Sequence, residues 1–218
     1  MVLSHKKLKE RQRKEREFFS DNLNLRVHRA LSWLKRSEQC DEDDDARFIF
    51  LWIAFNAAYA TDVNAKDRFS ANGLHKHFLS KLCDLDEQQK LYELIWSEFS
   101  DSVRVLLDNQ YVFEPFWNFQ RDNLTEDDWL LQFEKAKAAA NKALAKKNTA
   151  KAWSIVFNRL YTLRNQLMHG GATWNSSANR NQIRDGVKIL GKVVPVIIEL
   201  MMDGSKELWG DACYPVVK

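Results

Sequence analysis

Ala150-Lys151-Ala152-Trp153-Ser154-Ile155-Val156-Phe157-Asn158-Arg159-Leu160-Tyr161-Thr162-Leu163-Arg164-Asn165-Gln166-Leu167-Met168-His169-Gly170-Gly171 is the stretch whose reading decides the fold. Trp153, Val156, Phe157, Leu160, Leu163 and Leu167 recur at intervals of three and four, which draws one apolar stripe along an α-helix. Gly170-Gly171 ends the pattern as C-cap glycines do. Asn148-Thr149 precedes it as a break, with Thr149 as the expected cap. One long helix with a core face and a sharply defined C-terminus therefore anchors the reading.

The same periodicity extends outward. Leu3 to Arg36 reads as a helix, with Phe18, Phe19, Leu23, Leu25, Val27, Ala30, Leu31 and Leu34 mostly at spacings of three and four. Ser37 to Asp45 is an acidic break whose last carboxylates suit the N-terminus of the next helix. Arg47 to Tyr59 is apolar nearly all round, which fits a central helix and is too long for a buried strand. Thr61 to Asn72 reads as a loop, followed by short helices at 74–82, 87–99 and 102–107. Tyr111 to Phe119 is aromatic-rich and read as irregular, because Pro115 limits a helix there. Thr125 and Asp128 resemble a capping pair for an Ala/Lys-rich helix reaching about Lys147. Ala172 to Asn181 is a polar loop. A last helix spans about Gln182 to Met202, with Pro195 as an expected kink.

Composition agrees. Only 7 Gly and 3 Pro occur in 218 residues, too few for the many tight turns of an all-β domain. A 45% hydrophobic content with eight Trp supplies a sizeable core. The expected fold class is all-α: a helical bundle with extra helices and a basic N-terminal helical arm. The expected organisation is a single domain, with the arm at 1–36, the core bundle at 45–203 and a tail at 204–218 that docks on the bundle.

Net charge is +3, which argues against a generic polyanion binder. Charge is concentrated locally, however. Lys6 to Arg16 is basic, and reads either as a solvated helix face or as an arm that meets phosphates. Cys40, Cys83 and Cys213 are an odd, widely spaced set, which suits a reducing cytoplasm rather than a disulfide framework or zinc site. The longest apolar run, Val193 to Met202, is too short for a bilayer and reads as core. No membrane partner, metal or cofactor is expected, and no Gly-rich phosphate loop is present.

The chemistry-bearing residues cluster at the end of the opening stretch. Arg164 and His169 are five positions apart, about 140° around an ideal helix. They share a face only because Gly170-Gly171 stops the helix and frees the His169 ring to swing back. Arg164 can hold a phosphate through paired hydrogen bonds. An imidazole can take a 2′-OH proton or protonate a leaving 5′-oxygen. Asn165 joins the same polar surface. One Arg and one His form half of an acid–base pair, so a two-fold dimer would complete it.

Leu160 to Gly171 resembles the Arg–polar–x-x-x-His segment of HEPN domains, in particular the Apea-like group. Leu51-Trp52-Ile53-Ala54-Phe55-Asn56-Ala57-Ala58-Tyr59 is similar to the Trp-x-x-Phe-Asn segment on an early helix of these proteins. The resemblance covers roughly Arg47 to Met202. It implies a HEPN-like bundle that homodimerises and brings two motifs into one cleft. It also implies metal-independent endoribonuclease activity leaving a 2′,3′-cyclic phosphate, in a toxin–antitoxin or phage-defence setting. RNA, single-stranded or structured, is then the substrate, and an antitoxin protein a further partner. Arg164, Asn165 and His169 are the implied catalytic residues, with Asn56 and Trp174 as secondary candidates for substrate binding. Gly171 departs from a toxin subgroup that carries Tyr two residues after the His, so modification of such a Tyr is not implied. The alternative reading is a non-catalytic module that binds RNA or protein, in which Trp174 and the basic arm matter more than His169.

Overall fold

The computed structural model describes residues 3–60, 71–177, 179–207 and 209–214. Of the described residues 77% are helical, and no strand occurs among them. In chain order the helices are α1 (His5–Glu15), α2 (Asp21–Glu38), α3 (Asp44–Tyr59), α4 (Ala71–Leu85), α5 (Lys90–Glu93), α6 (Ser100–Asp108), α7 (Glu114–Gln120), α8 (Glu126–Ala145), α9 (Thr149–Met168) and α10 (Arg180–Asp203). They form two compact units: residues 1–91 with 183–218, and residues 92–182. Most of the loop expected at 61–72 lies outside the described residues.

In the first unit α2 packs against α3, and α1 lies on α2. The single N-terminal helix expected from the stripe is instead broken by a 3-10 turn at Arg16–Phe18. Ser20 then restarts the helix by accepting a hydrogen bond from the Leu23 N–H through its hydroxyl. Phe19 is buried while Phe18 is 81% exposed, so the stripe does not run unbroken through the pair. The basic stretch is therefore a helix that lies against α2 and buries Leu8 and Gln12. Asp43 caps α3 by accepting from Ala46 N–H, as the acidic break suggested. Phe48, Leu51, Trp52, Ala54, Phe55 and Ala58 of α3 are buried. From Val193 to Met202 every residue of α10 except Glu199 is buried, Pro195 included, so the apolar run is core. Glu199 pairs with Lys90 at 2.6 Å.

The tail docks on α2. Arg26 donates to the carbonyls of Ala58 (2.9 Å) and Asp211 (2.8 Å), and Arg29 to those of Cys213 and Tyr214, both at 2.6 Å. Burial pushes the Arg26 guanidinium below its ordinary pKa, and carbonyl dipoles stand in for a counter-ion. No disulfide links the cysteines, and burial raises the Cys83 thiol to about 12.

The second unit is built on α9. Trp153, Val156, Phe157, Leu160 and Leu163 are fully buried, each contributing roughly 1.5–3 kcal/mol as an upper estimate. Leu167, the last of the stripe, is half-buried. The cap of α9 is Asn148, which accepts from Lys151 N–H, not Thr149. Thr149 instead accepts a hydrogen bond from the Trp96 indole at 3.1 Å. Thr125 caps α8 as expected, accepting from Asp128 N–H. The aromatic segment departs from expectation. Pro115 sits in the first turn of α7, where a missing N–H removes no helical hydrogen bond, so it starts a helix. Phe116 packs on Trp129 and Phe133 of α8, with Phe113, Trp117, Phe119 and Leu124 around them.

Candidate active site

The end of α9 closes in a Schellman turn. The Gly171 N–H donates to Gln166 C=O at 2.7 Å, and the Gly170 N–H to Leu167 C=O at 3.3 Å. Gly170 has φ +69°, the left-handed conformation this turn needs. His169 is the C-cap, at φ −99° and ψ 13°, so it has left helical geometry. The glycine pair thus does what the sequence suggested: it ends the helix at His169, whose side chain is exposed. The ring makes no hydrogen bond among the described residues.

Arg164 and Asn165 are brought together directly. Arg164 Nη1 donates to Asn165 Oδ1 at 3.0 Å. Asn165 also accepts the His169 backbone N–H through its carbonyl, at 3.0 Å. Asn165 thereby touches both partners of the motif, one through its side chain and one through its backbone. No carboxylate pairs with Arg164 among the described residues, and its Nε is buried without an acceptor. A half-buried guanidinium held by a neutral amide keeps its charge available for an anion. No hydrogen bond joins the Arg164 and His169 side chains, so Asn165 is the physical link between them.

Gln166, passed over in the sequence, fixes the surroundings. Its amide nitrogen donates to the Tyr111 carbonyl at 2.5 Å. Its Oε1 accepts from Asn179 at 2.7 Å, which ties down the loop after α9. Asn175 and Asn179 in that loop both have positive φ, a conformation Asn tolerates better than most residues. Arg159 lies seven residues before Gln166 and hence on the same helix face. It is buried, donates to Leu107 C=O at 3.4 Å and stacks over the Phe113 ring at 4.3 Å. Burial pushes its pKa down to about 10, so it stays charged at neutral pH. No pattern in the sequence singles this pair out, because α9 also carries Lys151, Ser154, Asn158, Thr162, Arg164 and Asn165.

The secondary candidates separate. Trp174 stands 73% exposed in the loop after α9. Asn56 belongs to the first unit, on α3, and its Oδ1 is buried with no donor among the described residues. Among the described residues no group of three or more His, Cys, Asp or Glu is placed to hold a metal ion. No helix among them is long and apolar enough to cross a membrane. Comparison with known proteins returned no match: no family model, curated protein or solved structure corresponds to this chain.

Proposed function

We propose that the chain is a metal-independent endoribonuclease of HEPN type, acting as a homodimer. The observation that carries this reading is the end of α9: an unpaired Arg164 steered by Asn165, beside an exposed His169 on a glycine-terminated helix. The chemistry is transesterification. The 2′-oxygen attacks the adjacent phosphorus and the P–O5′ bond breaks. The products are a 2′,3′-cyclic phosphate and a 5′-hydroxyl end, with no water consumed. One His169 accepts the 2′-OH proton, and the partner's His169 protonates the leaving 5′-oxygen. Arg164 binds the non-bridging oxygens and stabilises their added charge in the phosphorane-like transition state. A cytoplasmic toxin or phage-defence effector, held in check by an antitoxin protein, is the setting that suits such an activity.

The test is direct. Purified protein is expected to cut single-stranded RNA in the presence of EDTA and to leave cyclic-phosphate ends. His169→Ala is expected to remove the activity, and Arg164→Ala to lower it by about 10²–10³. Cleavage that persists in His169→Ala defeats the reading. Salt-sensitive RNA binding without cleavage in the unsubstituted protein favours the non-catalytic alternative, for which the exposure of Trp174 speaks.

A further inference from the structure

A second feature of the 92–182 unit lies beside the motif. A shallow groove of about 540 Å³ is lined by Arg104, Val105 and Asp108 of α6, by the Asn109–Tyr111 turn, and by Gln182. Tyr111 is 46% exposed, with one edge packed on Phe116 at 5.5 Å. Asp108 is already neutralised by Lys137 at 3.0 Å, whereas Arg104 makes no ion pair among the described residues. The groove therefore offers one aromatic ring, one unneutralised guanidinium and the amide groups of Gln110 and Gln182.

The wall that carries Tyr111 is rigidly built. The Tyr111 carbonyl accepts from both Gln166 and the Trp117 indole, the latter at 2.8 Å. Asn109 accepts from Tyr111 N–H at 2.8 Å and so shapes the turn. Buried Arg159 holds the same segment through Leu107 C=O and the Phe113 ring. Both Arg159 and Gln166 are on α9, and Gln166 lies within the Arg164–His169 motif. The aromatic wall is thus fixed to the helix that bears the motif, at two points seven residues apart. A ring that must receive a planar ligand needs this kind of support, because a mobile ring loses entropy on binding.

We infer that this groove is a nucleotide-binding subsite for single-stranded RNA, with a base stacked on Tyr111 and a backbone phosphate on Arg104. The inference rests on the ribonuclease reading for its choice of RNA. Stacking on an aromatic ring is available only to an unpaired base, and one cation per nucleotide suits a flexible single strand. A duplex buries its base faces and cannot use Tyr111.

The experiment measures binding, not cleavage. The 218-residue chain bearing His169→Ala is titrated with a short fluorescent single-stranded RNA across a range of salt. Adding Tyr111→Ala is expected to weaken binding roughly tenfold with the salt slope unchanged. Adding Arg104→Met is expected to flatten the slope of log K against log salt by about 0.7. A duplex of the same sequence is expected to be indifferent to Tyr111→Ala. Bromouridine-substituted RNA, photo-crosslinked to the parent protein, is expected to attach within residues 104–117, which keeps the test open if a groove variant folds poorly. Unchanged affinity in both variants, no RNA binding, or crosslinks elsewhere only would overturn the subsite. If the unsubstituted protein does not cleave RNA but the groove variants still lose binding, the nuclease reading falls and the subsite stands. If it cleaves and the groove variants bind normally, the reverse holds.

Discussion

At the scale of single residues, the site depends on a backbone conformation as much as on side chains. Gly170 has φ +69°, and a Cβ built there meets nothing within 4 Å, so an added methyl is penalised by the backbone alone. Gly170→Ala is expected to lower stability by about 1–2 kcal/mol, measured by urea unfolding. Gly170→Asn should cost less, because Asn tolerates the left-handed region. Equal losses for the two would mean that the turn is held by something other than φ. Cleavage should fall with the loss of the turn even though no charged group is touched, since His169 departs from helical geometry immediately before Gly170. This much was legible in the sequence, because Gly-Gly after an amphipathic run has one common structural meaning. Gln166 was not legible. Its partners, the Tyr111 carbonyl and Asn179, lie 55 and 13 residues away, and no local pattern reports a hydrogen bond to a distant backbone.

At the scale of elements, periodicity identified helices well and their ends less well. The α9 stripe and the core run of α10 follow from composition and spacing alone. The break between α1 and α2 does not, because Phe18 and Phe19 extend the apolar pattern across a turn in which only Phe19 is buried. Pro115 misled for the opposite reason: proline forbids a helix interior but suits its first turn. The α1–α2 pair carries a pH dependence of its own. Lys9 Nζ donates to His28 Nδ1 at 3.1 Å, which requires that nitrogen to be unprotonated. Burial, and then the Lys9 ammonium, hold His28 below the ordinary histidine value. His5 is lowered too, mainly by burial and against the pull of Glu38. A base with a lowered folded pKa binds fewer protons folded than unfolded. Its stabilising effect is present above the ordinary value and is lost as pH falls through the folded one. The thermal midpoint is therefore expected to drop between about pH 7.5 and about pH 5.5. In His28→Gln, whose amide oxygen can still accept from Lys9, the drop should shrink. Superimposable pH profiles for the two proteins would remove His28 from this effect.

At the scale of the whole molecule, the all-α class was written in the scarcity of Gly and Pro, but the partition into two compact units was not. The boundaries fall at Leu91–Tyr92 and Gln182–Ile183, the second of them inside α10, where helical periodicity continues without a linker to mark the change. The motif raises a further question of assembly, since each chain supplies one imidazole and the proposed reaction uses two. Mixing experiments answer it without a structure of the dimer. If two His169 side chains serve one cleft, a mixed dimer of unsubstituted and His169→Ala chains lacks half of its acid–base pair. With a nine-fold excess of His169→Ala and random re-pairing, only about 1% of dimers retain both imidazoles. Activity per unsubstituted chain is then expected to fall to about a tenth. A chain that works alone keeps its full activity at any ratio. The excess variant could also compete for RNA, and a second control separates that effect. His169→Ala bearing Tyr111→Ala as well should poison equally if poisoning acts through dimers, but less if it acts by sequestering substrate. Full activity at nine-fold excess would show that one imidazole suffices, and the two-fold mechanism would have to be abandoned.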